Sequence, residues 1–191
     1  MFKSIKLVQA TAKHDIVTQI VSELSDLDFA IVEQDIARPW GAYFHIDPAS
    51  AKRFAAKFFS SLQPVVAQQL KQALPLTPKI LALAPGQKTS WQYHHRRSEI
   101  WHVVAGTIAV VRNDTDQLPE KYEEMDIDTD IELKSGERHR IIGLHNWGII
   151  AEIWLHTDAS HPSDEDDIIR LADDYGRLAE DSKTKLQEIA S

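Results

Sequence analysis

From Lys79 onward, the sequence consists of short apolar runs that are separated by glycines and polar turns. This is the pattern of an antiparallel barrel or sandwich. We predict strands near residues 79–84, 88–94, 99–105, 107–112, 129–134, 138–143 and 147–156. The loop 113–128 is rich in acidic residues, but their spacing does not fit an EF-hand, so a solvated connection is the better interpretation.

The first part of the chain is different, because apolar residues at helical spacing predict a helix over 11–25. Further helices are predicted over 48–61 and 63–74, with short strands near 29–33 and 42–46. No repeat, low-complexity tract or linker interrupts the sequence. We therefore expect one domain over residues 1–191, with an N-terminal extension (1–77), a barrel core (78–156) and a tail (157–191).

The tail is predicted to be helical. Ser163 precedes the acidic run 164–167, which suits an N-cap followed by a first turn that the helix dipole favours. Gly176 could end this helix in the left-handed conformation. Capping therefore explains the acidic run better than metal binding does.

Composition excludes several classes of protein. The chain has no cysteine, which rules out a disulfide framework or a cysteine zinc site and fits a reducing compartment. A net charge of −8 argues against a general nucleic-acid binder, but not against an anionic small substrate. No apolar run is long enough for a signal peptide or a membrane span, so a cytoplasmic protein without a membrane partner is expected.

Candidate metal ligands cluster between Pro85 and Gly106. Gln92 and His94 are two residues apart, so on a strand they share one face. Glu99 lies five residues after His94, so on one continuous strand the two side chains would point to opposite faces. The polar run 95–98 can instead form a corner that leads into a new strand. Gly136-Glu-Arg-His139 offers His139 as the fourth ligand. Amide, imidazole and carboxylate groups suit a divalent metal of intermediate hardness.

The order Gln-x-His, four residues, Glu, then Gly-x-x-His resembles the cupin superfamily, and more closely the type II phosphomannose isomerase (mannose-6-phosphate isomerase) cupins. Three further segments carry this resemblance: Arg-Pro-Trp-Gly at 38–41, the motif at 90–101, and Glu-Asp-Asp-Ile-Ile-Arg to Tyr-Gly-Arg at 165–177. The resemblance implies a mainly β fold, a cupin double-stranded β-helix or jelly-roll barrel with N-terminal helices and a C-terminal helix. One departure is Ile100, where the family has histidine.

The resemblance implies a metal-dependent aldose–ketose isomerase of a sugar or sugar phosphate. The metal would polarise the carbonyl and stabilise an enediolate. Zinc is the first choice, with Mn, Fe or Co as alternatives. No general base stands out in the sequence. An Fe(II)-dependent cupin oxygenase is less favoured, since Gln92 replaces the first histidine, and a non-catalytic sugar-binding cupin is the third reading.

Arginines are the candidate contacts for a phosphate, because a guanidinium binds it bidentately. We favour Arg97 and Arg177 as substrate contacts, with Arg38 and Arg170 next, and the tryptophans Trp40 and Trp101 complete the candidate set. For each arginine, an ion pair with an acidic residue is the alternative. The predicted partner is a small sugar or sugar phosphate, and a homodimer is allowed.

The two arginines beside His139 are interpreted differently. Arg138 and Arg140 flank His139 on its strand, so alternation places both on the opposite face. We expect them to be surface charges.

Overall fold

The computed structural model describes residue 2 and residues 5–178 of the 191-residue chain. The N-terminal part contains α1 (Lys13–Asp26), β1 (Ile31–Asp35), β2 (Gly41–Ile46), α2 (Ala51–Phe58, entered through a 3₁₀ turn at Pro48–Ser50) and α3 (Gln63–Lys71). Nine strands follow in the described residues: β3 (Leu76–Leu83), β4 (Trp91–Tyr93), β5 (Arg97–Ala105), β6 (Ile108–Asn113), β7 (Glu123–Met125), β8 (Asp130–Leu133), β9 (Arg138–Gly143), β10 (Gly148–His156) and β11 (Ile169–Ala172).

The strands form two antiparallel sheets, which confirms the mainly β prediction. The six-stranded sheet has the order β1-β2-β3-β10-β5-β8, and the five-stranded sheet has the order β11-β4-β9-β6-β7. Strands distant in sequence are neighbours in space, since β10 lies between β3 and β5.

Two apolar clusters hold the molecule together. One fills the space between the sheets and includes Leu83, Val103 and Ile150. The other joins the outer face of the six-stranded sheet to the helices. Every residue of β10 is buried, because one face of this strand meets the barrel interior and the other meets the helical layer. Ile16, Ile20 and Leu24 of α1 are fully buried, and each contributes about 1.5–3 kcal/mol as an upper estimate.

The corner between β4 and β5 sets the geometry of the site. β5 begins at Arg97, two residues before the predicted start. Alternation then places Glu99, Trp101 and Val103 toward the barrel interior, as their parity predicted. Ile100 lies on the opposite face in the helical layer, so the departure from the family at this position does not alter the pocket.

The helix predicted to begin at Ser163 is wrong within the described residues. Ser163 Oγ donates to the Asp167 carboxylate over 2.7 Å, and that carboxylate also accepts the backbone N–H groups of His95 and Arg96, each over 3.0 Å. The two long-range bonds from His95 and Arg96 replace helix capping, and β11 pairs with β4 instead. Gly176 has the expected positive φ of 74°, but it follows a turn. The rest of the predicted tail, residues 179–191, lies outside the described part.

Among the helices of the described residues, none combines the length and the apolar character needed to cross a membrane.

Candidate metal centre

Three predicted ligands meet between the sheets. His94 follows β4, Glu99 lies on β5, and His139 lies on β9. One potential ligand atom from each residue lies within 4.8 Å of the other two. The shortest separations are 3.3 Å from His94 Nε2 to Glu99 Oε1 and 3.5 Å from His139 Nε2 to Glu99 Oε2. All three residues are at most 3% exposed, so the cluster is shielded from solvent.

Backbone carbonyls orient both imidazoles. His94 Nδ1 lies 2.5 Å from the carbonyl oxygen of Asp167, and His139 Nδ1 lies 2.9 Å from that of Glu137. A proton on each Nδ1 would be donated to the carbonyl, which leaves both Nε2 atoms unprotonated. His94 Nε2 accepts from Arg97 Nη2 over 3.1 Å. His139 Nε2 is buried and has no hydrogen-bond partner among the described residues. An orphaned imidazole nitrogen between a second histidine and a carboxylate fits a metal ion.

Gln92 lies next to this cluster. It is the register partner of His139 across β4 and β9, so both side chains lie on one face. Its amide nitrogen lies 3.4 Å from His94 Nε2, while its oxygen accepts from Ser90 Oγ over 2.5 Å. The amide group must rotate by about half a turn, so that its oxygen and nitrogen change places, before the oxygen can be a ligand.

Burial and charge set the protonation states that a metal needs. Desolvation lowers the pKa of His94 to about 3 and outweighs the attraction of Glu99, and desolvation also lowers the pKa of His139. Burial alone would raise the pKa of Glu99, but His94, Arg97 and His139 lower it to about 2. Two neutral imidazoles and one carboxylate are therefore present at neutral pH, as metal binding requires.

A pocket with about 80 Å³ of free interior volume leads to the cluster. Glu99 and His139 form part of its wall. All six predicted substrate contacts line it: Arg38, Trp40, Arg97, Trp101, Arg170 and Arg177.

The four arginines of the pocket have different environments. Arg97 is buried and donates from Nε to Glu99 over 2.7 Å and from Nη1 to Ser163 Oγ over 2.8 Å. Arg38 pairs with Asp35 at 2.8 Å, and Arg177 pairs with Asp173 at 2.5 Å. No carboxylate of residues 2 and 5–178 forms an ion pair with Arg170. Arg97 therefore orients Glu99, while Arg170 has no ion-pair partner among the described residues.

The arginines beside His139 agree only in part with the sequence interpretation. Arg138 is partly exposed and pairs with Asp116 at 2.5 Å, as expected of a surface charge. Arg140 is buried, which corrects the prediction. It pairs with Asp174 at 3.0 Å and donates to the carbonyl of Ala172 over 3.3 Å, because the segment around β11 covers this face of β9.

Three further charged residues in the pocket were missed. Lys79 is 3% exposed, pairs with Glu165 at 2.5 Å and lies 3.4 Å from the centroid of the Trp154 ring. Glu152 accepts from Trp101 Nε1 over 2.9 Å, and burial together with the nearby charge of Glu99 raises its pKa to about 8. A charge inside an otherwise apolar strand was the available signal, since Glu152 interrupts the run 148–155.

Two facing antiparallel sheets around a buried His-Glu-His cluster define a cupin. Residues 68–173 match the family described as "Mannose-6-phosphate isomerase C-terminal", and the chain belongs to this family. The match confirms the resemblance that the motifs indicated.

Curated relatives include the xanthan biosynthesis protein XanB of Xanthomonas campestris pv. campestris (strain B100), 31% identical over 84% of this chain and 28% of its own length. The mannose-1-phosphate guanylyltransferase of Escherichia coli (strain K12) is 31% identical over 77% of this chain and 24% of its own length. The alginate biosynthesis protein AlgA of Pseudomonas aeruginosa is also 31% identical, over 76% of this chain and 24% of its own length. The chain therefore spans about a quarter of the length of these relatives.

Among solved structures, vicilin from Corylus avellana is similar in fold, with a TM-score of 0.53 and 13% identity over 82% of this chain and 40% of that chain. A cupin 2 conserved barrel domain protein from Salinispora arenicola CNS-205 gives a TM-score of 0.38 and 19% identity over 44% of this chain and 65% of that chain.

These comparisons overturn the predicted activity. The relatives are named as a mannose-1-phosphate guanylyltransferase, which is a transferase, and as proteins of xanthan and alginate biosynthesis. The prediction of an aldose–ketose isomerase is therefore wrong. What the chain shares with phosphomannose isomerases is the cupin domain.

Proposed function

We propose that this cupin holds a divalent metal through His94, Glu99 and His139, with Gln92 as a fourth ligand, and binds a sugar phosphate in the pocket above it. One observation carries the proposal: three buried ligand atoms within 4.8 Å of one another lie at a pocket that four arginines line.

The donor set favours the metals expected from the sequence. Two imidazoles, one carboxylate and one amide suit Zn first and Mn, Fe or Co as alternatives. A metal in this position would act as a Lewis acid toward an oxygen of the ligand. The protein supplies the orientation: Arg97 fixes the Glu99 carboxylate, and the carbonyls of Asp167 and Glu137 fix the two rings.

The ligand class follows from the lining of the pocket and from the relatives. The name of the Escherichia coli relative contains mannose 1-phosphate, a hexose phosphate. The arginines offer donors to its phosphate, and Trp40 and Trp101 offer flat apolar surface to a sugar ring. We therefore propose a hexose phosphate as the ligand class.

A calorimetric panel on metal-loaded protein tests this function. A hexose 1-phosphate, a hexose 6-phosphate and the unphosphorylated hexose would be titrated into the wild type and into His94→Ala, with the metal content measured in both. We expect one metal per wild-type chain, tighter binding of a phosphorylated sugar than of the hexose, and loss of the metal in the variant. Full metal occupancy in His94→Ala, or no binding of any phosphorylated sugar, would refute the proposal.

A further inference from the structure

Arg170 differs from its neighbours in the pocket because no carboxylate of the described residues lies within ion-pair distance of its guanidinium. Asp173 Oδ1 accepts from Arg177 Nε over 3.0 Å, and Asp173 Oδ2 accepts from the backbone N–H of Arg177 over 2.8 Å. Arg38 is likewise paired with Asp35 at 2.8 Å. In the part of the chain that the structure describes, the Nε atoms of Arg170 and Arg38 are both buried without a hydrogen-bond acceptor, but only Arg38 has a carboxylate at ion-pair distance.

Strand register places Arg170 in line with the metal site. Arg170 of β11 is the partner of Gln92 on β4, and Gln92 is in turn the partner of His139 on β9. Residues directly opposite each other in antiparallel strands project to the same face, so all three lie on one row across the sheet. Neighbouring strands are about 4.8 Å apart, which puts Arg170 on the order of 10 Å from the backbone of a metal ligand.

The electrostatic surroundings favour an anion beside Arg170. Burial and the repulsion of the nearby Arg177 lower the pKa of Arg170 and outweigh the attraction of Asp173 and Glu165, so the charged form gains from a further anion. Buried charges in proteins are normally paired. The two fully buried cations of the pocket wall are already paired, Lys79 with Glu165 at 2.5 Å and Arg97 with Glu99 at 2.7 Å.

We propose that Arg170 anchors the phosphate monoester of the ligand, while Arg38 and Arg177 stay on their own carboxylates and orient the site. This inference rests on the proposed function, because the sugar would extend from Arg170 along the row toward the metal. It predicts one anionic group per ligand, since the remaining buried cations of the pocket have partners.

The test is a titration of inorganic phosphate and of a hexose 6-phosphate into metal-loaded protein at fixed ionic strength. Arg170→Gln should weaken the binding of both by about 30-fold, the size of a charge-assisted pair. It should leave the metal content and the affinity for the unphosphorylated hexose unchanged, and Arg170→Lys should recover part of the loss.

Two controls separate Arg170 from general charge effects. Arg138→Gln removes the same charge on the opposite face of the sheet and should change phosphate affinity less than threefold. Arg53→Gln removes an exposed charge on α2, outside the pocket, and should also bind phosphate with an affinity within about threefold of the wild type.

Several results would overturn the inference. Equal phosphate affinity in the wild type and Arg170→Gln would do so, as would no phosphate binding by the wild type, or a hexuronic acid that binds more tightly than the hexose phosphate. Failure of the proposed metal site is visible separately, since it appears as absent metal in the wild type whatever the phosphate titrations give.

Discussion

At the scale of single residues, Arg97 links the pocket to the metal site. Its guanidinium donates to Glu99 over 2.7 Å and lies 3.6 Å from the centroid of the Trp154 ring. A residue that orients a metal ligand in this way typically contributes a factor of roughly 10 to 100 to metal affinity.

Arg97→Gln should therefore weaken metal binding by about 10- to 100-fold. The measurement is competition with a chromogenic chelator. Arg96→Gln is the matched control, because Arg96 is the neighbouring arginine and its closest ion pair is with the exposed Asp164 at 2.9 Å. Unchanged metal affinity in Arg97→Gln would show that Glu99 needs no support from Arg97.

Buried histidines make the metal-free protein sensitive to acid. Burial lowers the pKa of His94 to about 3 and that of His156 to about 4, from ordinary values near 6.5. Between pH 6.5 and these lowered pKa values, the two histidines bind protons in the unfolded chain but not in the folded chain. The free energy of unfolding therefore falls as the pH falls below 6.5. Glu152 acts in the opposite direction, since its raised pKa of about 8 favours the folded state at low pH.

The metal-free protein should consequently be less stable at pH 4.5 than at pH 6.5, because His139 adds to the two other histidines and together they outweigh Glu152. Urea unfolding at the two pH values measures this. The variant Glu152→Gln should steepen the dependence. A higher stability at pH 4.5 would contradict the assigned protonation states.

The cluster of His94, Glu99 and His139 could be predicted from the sequence, whereas the pairing of Lys79 with Glu152 could not. Strand parity and a single corner were enough to bring His94, Glu99 and His139 together. Lys79 and Glu152 are register partners on β3 and β10, and this pairing joins residues more than seventy positions apart. No local pattern encodes such a contact.

At the scale of elements, the segment 163–167 fastens the tail to the corner between β4 and β5. The Asp167 carboxylate accepts two hydrogen bonds from the corner and one from Ser163, and the backbone oxygen of Asp167 orients His94. The sequence suggested a helix cap here because serine and acidic residues satisfy both arrangements. Only the tertiary contacts decide between them.

Asp167→Ala should lower the free energy of unfolding by about 3 kcal/mol, because it leaves buried N–H donors without a charged acceptor. Asp166→Ala is the control, since Asp166 lies one position earlier in the acidic run and is exposed. Chemical denaturation of both variants measures the difference. Similar losses in the two would support helix capping instead of a long-range contact.

The Arg-Pro-Trp-Gly segment ends where β2 comes close to β3. Gly41 has a φ of 148°, and a Cβ atom built there would lie 1.8 Å from the carbonyl oxygen of Ala82. The backbones of β2 and β3 therefore approach each other closely at this glycine. Gly86 also has a positive φ, but a Cβ atom there would meet open space.

Gly41→Ala should thus destabilise the protein far more than Gly86→Ala, for which about 1–2 kcal/mol of backbone strain is expected. Thermal unfolding of the two variants compares them directly. Equal losses of stability in the two variants would mean that β2 can move away from β3 at no cost in folding free energy.

At the scale of the whole molecule, the fold turns residues from distant strands into one site. The helical layer buries the outer face of the six-stranded sheet, and the inner faces of both sheets enclose the cluster and the pocket. Hydrophobic periodicity predicted the three helices and most strands. The order of the strands depends on long-range pairing, for which the family resemblance was the guide.

The metal centre is the central claim, and anomalous diffraction from crystals of the zinc-loaded protein tests it most directly. We predict one anomalous peak between His94 Nε2, Glu99 and His139 Nε2, with the Gln92 amide oxygen turned toward it. A peak elsewhere on the chain, or no peak among these three side chains at full zinc loading, would contradict the account.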